Sequence, residues 1–272
     1  MAGWPGKNRV TVRHLLTHSS GLPAGRPLFR EASSKSAALE LVYATPLQAV
    51  PGARTVYSDL GAILLGRIVE RASGERLDTY LARHVFRPLG MRSTMFRPPD
   101  SLRARTAPTE YDASRQRLLR GEVHDENALA LGGIAGHAGL FSTAHDLSRF
   151  ATMYLQGGSL GGVRVLRPAT IRQFTRAQDA SFSSRALGWD TPTGSSSAGH
   201  LMSRRAFGHT GFTGTSIWID PANDVFVILL TNRVNPSREN HRISAVRVAL
   251  ADAVLGIVAP TPSETTLSPA QP

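Results

Sequence analysis

The sequence predicts an α+β fold in which a helical subdomain adjoins an antiparallel sheet flanked by helices. Three observations predict it. Apolar residues recur at helical spacing through the first part of the chain, three short β-prone runs separated by turn dipeptides follow, and a long apolar segment of helical character closes the folded part. With 272 residues, 41% of them hydrophobic, the chain is long enough to bury a substantial core.

Thr11 to His18 reads as a short helix stopped by Gly21 and Pro23. Leu39 to Thr45 is a second apolar segment, broken before Pro46. A stronger helix is predicted from about Asp59 to Ala72, where Leu60, Ile63, Leu64 and Ile68 share one face and Gly74 closes the last turn. Another is predicted from Arg76 to Phe86, with Leu77, Tyr80, Leu81, His84 and Val85 along one stripe. Residues 97–139 read as loop and end in the cluster Gly132, Gly133, Gly136 and Gly139. Ser142-Thr143 opens a further helix, with Asp146 as capping-box partner and Gly157-Gly158 as its end. Pro168 starts one over residues 168–177. Residues 191–199 are expected to form a loop. Strands are predicted at Phe207 to Gly208, Thr215 to Ile219 and Val225 to Thr231, parted by Asp220-Pro221 and Asn223-Asp224 turns. A last helix is expected from about Arg238 to Leu255, and 259–272, rich in Pro, Ser and Thr, as a disordered tail. The resulting division is a mainly helical part over about 10–200 and a sheet with its closing helix over about 201–258.

Composition removes several function classes. The formal charge of +11 invites a nucleic-acid reading, but the basic residues are scattered, only Arg204 and Arg205 are adjacent, and no aromatic-interleaved basic tract occurs. No nucleic-acid partner is expected. All but Lys7 and Lys35 of the 31 basic residues are arginine, which reads as a compositional bias of the source. The longest apolar run, Val225 to Leu230, is far short of a membrane span, so stable membrane insertion is not expected. The first residues lack the apolar core of a secretion signal. Without cysteine there are no disulfides or thiolate metal sites, and the His–carboxylate neighbours His124-Asp125 and His145-Asp146 lack ligand spacing. No metal and no cofactor are expected; His124 and His137 read as cleft-wall or structural hydrogen-bonding residues.

Three places carry more than fold. Tyr57-Ser58-Asp59 stands just before a helix, where Ser58 or Asp59 could simply cap it. His209-Thr210-Gly211 with Phe212-Thr213-Gly214-Thr215 falls in the strand region, where the glycines could only mark a bulge. His18-Ser19-Ser20-Gly21-Leu22-Pro23 could be a capped turn. In this order and spacing, together with RPLGMRST at Arg87 to Thr94 and GGIAGHAGLFSTAHDLSRF at Gly132 to Phe150, they resemble the β-lactamase-like serine hydrolases, a family of β-lactamases, D-alanyl-D-alanine peptidases and esterases. The resemblance runs from about residue 8 to 255.

That resemblance implies a β-lactamase/transpeptidase-like fold and acyl transfer to water through a serine ester. Such enzymes combine Ser-x-x-Lys with two further motifs, because a serine hydroxyl needs a neighbouring base to become a nucleophile. It implies Tyr57, Asp59 and His209 as catalytic residues and Thr210, Gly211 and Phe212 as substrate-binding residues. The Phe212 N–H would face the oxyanion, and Gly211 and Gly214 would leave room for close approach of substrate. Asp59 stands where Asn is commoner and His209 where Lys is commoner. A largely neutral histidine grips a carboxylate less firmly, which leans toward an esterase or a D-alanyl peptidase-like role on a small-molecule ester, amide or cell-wall peptide.

No Ser-x-x-Lys occurs in these residues: three positions before Lys7 and Lys35 stand Trp4 and Ala32. In the family the nucleophile lies ahead of the HLLTHSSGLP segment. The expectation is therefore an N-terminally truncated member, inactive as written, whose full-length form is extracytoplasmic; the alternative is a non-catalytic ligand-binding module with a degenerate site. The resemblance also implies that strands ahead of the nucleophile pair with the last strand, Val225 to Leu230.

Overall fold

Apolar side chains spaced for helices and alternating for strands segregate into two regions of core. The computed structural model describes residues 6–258 apart from 180, 182, 194 and 195. The tail expected at 259–272 lies outside the described residues, as do two residues of the expected loop at 191–199.

In the first region, α1 (Val12–Leu16), α2 (Leu28–Glu31), α3 (Lys35–Ala44) and α4 (Asp59–Ser73) meet α6 (Glu126–Ala130) around Leu15, Leu28, Val42, Leu60 and Ile63. The predicted stripe of α4 is the one that is buried. Ser58 caps its start, its Oγ accepting from the Gly61 N–H at 3.3 Å, and Gly74 ends it in the left-handed conformation. The glycine cluster has a packing reason. A Cβ on Gly136 would lie 2.1 Å from the Ala62 carbonyl oxygen, so the 132–139 segment presses backbone against α4.

The second region is built on a three-stranded antiparallel sheet of β7 (Phe207–Thr210), β8 (Ser216–Asp220) and β9 (Val225–Leu229), in that spatial order. Trp218 faces Gly208 on one side and Val227 on the other. Because side chains alternate, Trp218 and Val227 reach Ala251 and Leu255 of α9 (Ile243–Val258), while Phe207, Ile219 and Phe226 reach Ala151 and Tyr154 of α7 (Ala144–Leu155). Helices on both faces explain why β9 is apolar at every position. The division at about residue 200 thus separates types of element, not packing units: α7 belongs to the helical stretch of sequence but lies on the sheet. A smaller cluster of Phe86, Leu89, Met91, Met153 and Ile171 joins α7 to α5 (Leu77–Leu81) and α8 (Pro168–Thr175).

Several boundaries differ from expectation, each for a visible reason. The helix predicted over 76–86 is α5 followed by a wider π turn at Ala82–Phe86. Residues 97–139 hold more structure than a loop. They contain α6 and the short antiparallel pair β2 (Tyr111–Asp112) with β3 (Arg117–Leu118), and the segment is flanked by a second such pair, β1 (Met95–Phe96) with β4 (Leu140–Phe141). Asp112 organises the β2–β3 turn by accepting from the Ser114 hydroxyl and N–H and from the Arg115 N–H. A further hairpin, β5 (Ser159–Leu160) and β6 (Val163–Arg164), precedes α8. The capping box at α7 is half present. Thr143 Oγ1 accepts from the Asp146 N–H, but the Asp146 carboxylate turns instead to the Ser93 N–H at 2.7 Å and the Thr94 hydroxyl at 2.8 Å. The closing helix begins at Ile243, not Arg238, because the Arg238 and Asn240 carbonyls accept from the Arg233 guanidinium and hold that backbone out of the helix.

Candidate active site

Tyr57 sits in extended chain just ahead of α4, and the 18–24 segment fixes it there. The Val56 N–H donates to the His18 carbonyl at 2.8 Å, the Ser58 N–H to His18 Nδ1 at 3.1 Å, and the Ser58 hydroxyl to the Pro23 carbonyl at 2.6 Å. The Asp59 N–H reaches the Ala24 carbonyl at 2.8 Å. The HSSGLP phrase is therefore a brace for the tyrosine, with His18 in the left-handed region at φ 54°. The His18 ring packs on the Tyr57 ring with centroids 4.4 Å apart.

The sheet closes the other side. His209, on β7, lies 5.9 Å from Tyr57 between ring centroids, so the structure brings these two predicted residues together. The Arg185 guanidinium carbon lies 5.4 Å from the Tyr57 centroid, over its face. Tyr57 itself remains 44% exposed, open to a ligand.

Electrostatics follow from burial and from this arginine. Burial, helped by Arg185 and His209, lowers the His18 pKa to about 4, so the ring is neutral at physiological pH and Nδ1 is free to accept from Ser58. Burial also pushes the His209 pKa down, against the bond its Nδ1–H donates to the Thr210 carbonyl at 2.8 Å. The Tyr57 phenol is pushed up by burial and by the Asp59 carboxylate, with Arg185 opposing. Asp59 is pushed up by burial, with His137 opposing and Asp125 adding to the rise. His137 donates from Nε2 to Asp125 at 2.9 Å, and His124 bonds Glu110 at 2.7 Å; both are structural hydrogen-bonding residues.

Thr210, Gly211 and Phe212 line a cleft of about 270 Å³ together with Arg233, His241 and Arg247. Arg247 is buried, and its Nη2 donates to the Gly211 carbonyl at 2.8 Å and the Thr215 carbonyl at 2.7 Å, while its Nε has no partner among the described residues. Arg233 Nε donates to the Phe212 carbonyl at 2.8 Å, its guanidinium covers the Phe212 ring, and His124 stacks on that ring. The glycines also have a reason within the fold. A Cβ on Gly211 would meet Thr215 Oγ1 at 2.2 Å, and Gly214 has φ 112° with Thr231 Oγ1 at 2.4 Å from where a Cβ would stand. The tightness of the β7–β8 turn itself requires them.

Arg185, Arg233 and Arg247 lie at the site without any motif that singles them out, and His18 is marked only as part of a phrase, with no role of its own. In a chain so rich in arginine nothing local marks which ones converge; only the HSSGLP phrase carried a signal, for His18.

Residues 2–251 match the family described as Beta-lactamase, and the chain belongs to that family. Relatives named "Putative D-alanyl-D-alanine carboxypeptidase" include one from Salmonella typhimurium, 35% identical over 88% of this chain and 61% of its own length. One from Escherichia coli is 36% identical over 84% of this chain and 58% of its own. The chain thus spans about three fifths of the length of these relatives. Among solved structures, a Mycobacterium bovis β-lactamase is 25% identical with a TM-score of 0.64, covering 93% of this chain and 75% of that one. A penicillin-binding protein homologue from Caulobacter crescentus shares the fold at 22% identity and TM-score 0.66, over 93% of this chain and 73% of that one. The fold is therefore of the β-lactamase/transpeptidase type.

Proposed function

We propose that these residues serve hydrolysis through a serine acyl-enzyme, on a D-alanyl peptide or a related small ester or amide that carries a free carboxylate. The observation that carries this reading is the position of Tyr57, braced by His18 and facing His209, the residue before Thr210. In it, Tyr57 accepts the proton of the nucleophilic serine hydroxyl and returns it to the leaving group. Because burial and Asp59 hold the phenol up, that role needs cations beside it, here Arg185 and the lysine of the Ser-x-x-Lys motif. The substrate lies along Thr210 to Phe212, with the Phe212 N–H directed to the developing oxyanion. Asp59, at the start of α4, contacts the substrate's amide side.

The cleft supports the choice of substrate. Arg233, His241 and Arg247 line it, and two of these are guanidinium groups. A carboxylate in the cleft would be drawn by their positive charge. The names of the carboxypeptidase relatives agree with such a substrate. The nucleophile and its lysine come, in this reading, from outside these 272 residues, in a protein acting outside the cytoplasm.

The test uses the protein that unites these residues with a Ser-x-x-Lys segment. Peptides ending in D-alanyl-D-alanine with a free and with an amidated C-terminus are compared. A preference of about tenfold or more for the free acid in kcat/KM, lost on Arg247→Gln, is expected. Equal rates would remove the carboxylate reading, and hydrolysis of simple esters alone would leave an esterase. Ligand binding without turnover in that protein would favour the non-catalytic module.

A further inference from the structure

The segment between α8 and β7 contributes one more member to the site. Arg185 forms an antiparallel bridge with Asp190, and Asp190 forms another with Gly208, the residue before His209. Asp190 exchanges backbone bonds with Gly208 at 2.8 and 2.9 Å, and the Arg185 carbonyl accepts from the Gln178 N–H at 3.0 Å. The backbone that carries Arg185 is thereby tied to the edge of β7. Its side chain is only 19% exposed, stands 4.0 Å from the Asp190 carboxylate, and lies over the Tyr57 ring.

Four ionisable groups face Tyr57 from the elements around it. Asp59 comes from the start of α4, His18 from the 18–24 brace, His209 from β7, and Arg185 from the 176–190 segment with Asp190 behind it. Both histidines are held neutral by burial, so neither brings positive charge at physiological pH. The group that does is Arg185, and a guanidinium stays charged throughout the working range.

We propose that Arg185 is a positioning residue that supplies the standing positive charge beside Tyr57, a charge the histidine at position 209 does not provide. Its use in catalysis rests on the reading of Tyr57 as proton acceptor; its effect on Tyr57 does not. The opposing carboxylate of Asp190 sets how much of the charge Tyr57 feels. Opposite consequences follow for the two members of the pair, since removing the cation disfavours the phenolate and removing the anion favours it. A loss of packing would move both variants the same way.

The test is the titration of Tyr57 in the full chain, followed by NMR of tyrosine labelled with ¹³C at Cζ and assigned with Tyr57→Phe. Arg185→Gln is expected to move the titration to higher pH, Arg185→Lys to hold it near the starting position, and Asp190→Asn to move it lower. An unmoved titration in folded Arg185→Gln, or displacement of Arg185→Gln and Asp190→Asn in the same direction, would overturn the proposal. If Arg185→Gln fails to fold, Asp190→Asn decides alone through its sign. In the protein carrying the nucleophile, Arg185→Gln is expected to lower kcat/KM at neutral pH about tenfold, to displace its acidic limb upward, and to be rescued by Arg185→Lys. Full activity of Tyr57→Phe would contradict the catalytic reading while leaving the NMR result in place.

Discussion

His18 shows how one side chain links fold and site. Its Nδ1 accepts from the Ser58 N–H, its carbonyl accepts from the Val56 N–H, and its ring supports Tyr57. Protonation would replace that acceptor with a donor facing a donor. The folded pKa of about 4 lies below the ordinary value of 6.5, so the unfolded chain binds more protons between these limits. The stability that neutral His18 contributes is therefore fully present above about pH 6.5 and is lost as pH falls toward 4. The shift corresponds to about 3 kcal/mol. His18→Asn keeps an acceptor without a titrating group. Urea unfolding at pH 7 and pH 4.5 should show a smaller fall in midpoint for this variant than for the parent. Equal falls would mean that His18 does not govern the acid sensitivity.

At the scale of elements, β9 carries the clearest consequence. Helices α7 and α9 cover its faces and β8 pairs one edge, while its other edge has no strand partner among the described residues. Five successive apolar, β-prone residues without charge or proline make such an edge a template for another chain. The 272-residue chain on its own should therefore self-associate in size-exclusion chromatography, and a longer chain whose added strands pair with β9 should run as a discrete species. A monomeric, cooperatively unfolding 272-residue chain would contradict this. β9 was also among the most legible elements, because an apolar run bounded by Asp and Asn turns reads the same in sequence and structure. α4 was legible for its stripe and its capping residues. The α5 π turn and the late start of α9 were not, since they depend on tertiary bonds such as those from Arg233 to the 238 and 240 carbonyls. The glycines of the β7–β8 turn were legible as special positions, but their cause is Thr215 and Thr231, which lie apart from them in sequence or across the turn.

At the scale of the molecule, the site lies where the helical core meets the sheet. Tyr57 arrives on the start of α4, His209 on β7, and Arg185 on a segment bridged to β7, so the three converge only when both regions pack. In the sequence, Tyr57 and His209 stand out through their resemblance to the family's motifs. That resemblance could not identify Arg185, one arginine among many, whose role depends on a bridge to Asp190 and Gly208. The central claim is that Tyr57 is the proton-transferring group of a serine acyl-enzyme cycle. The most direct measurement is kcat/KM of Tyr57→Phe on a D-alanyl-D-alanine peptide, in the protein that carries these residues with the Ser-x-x-Lys segment, with unfolding followed in parallel. The change removes one hydroxyl from a ring that is 44% exposed, so stability should be unchanged. A fall of about a hundredfold or more is predicted; a fall of less than about threefold at unchanged stability would contradict the account and leave Tyr57 a packing residue.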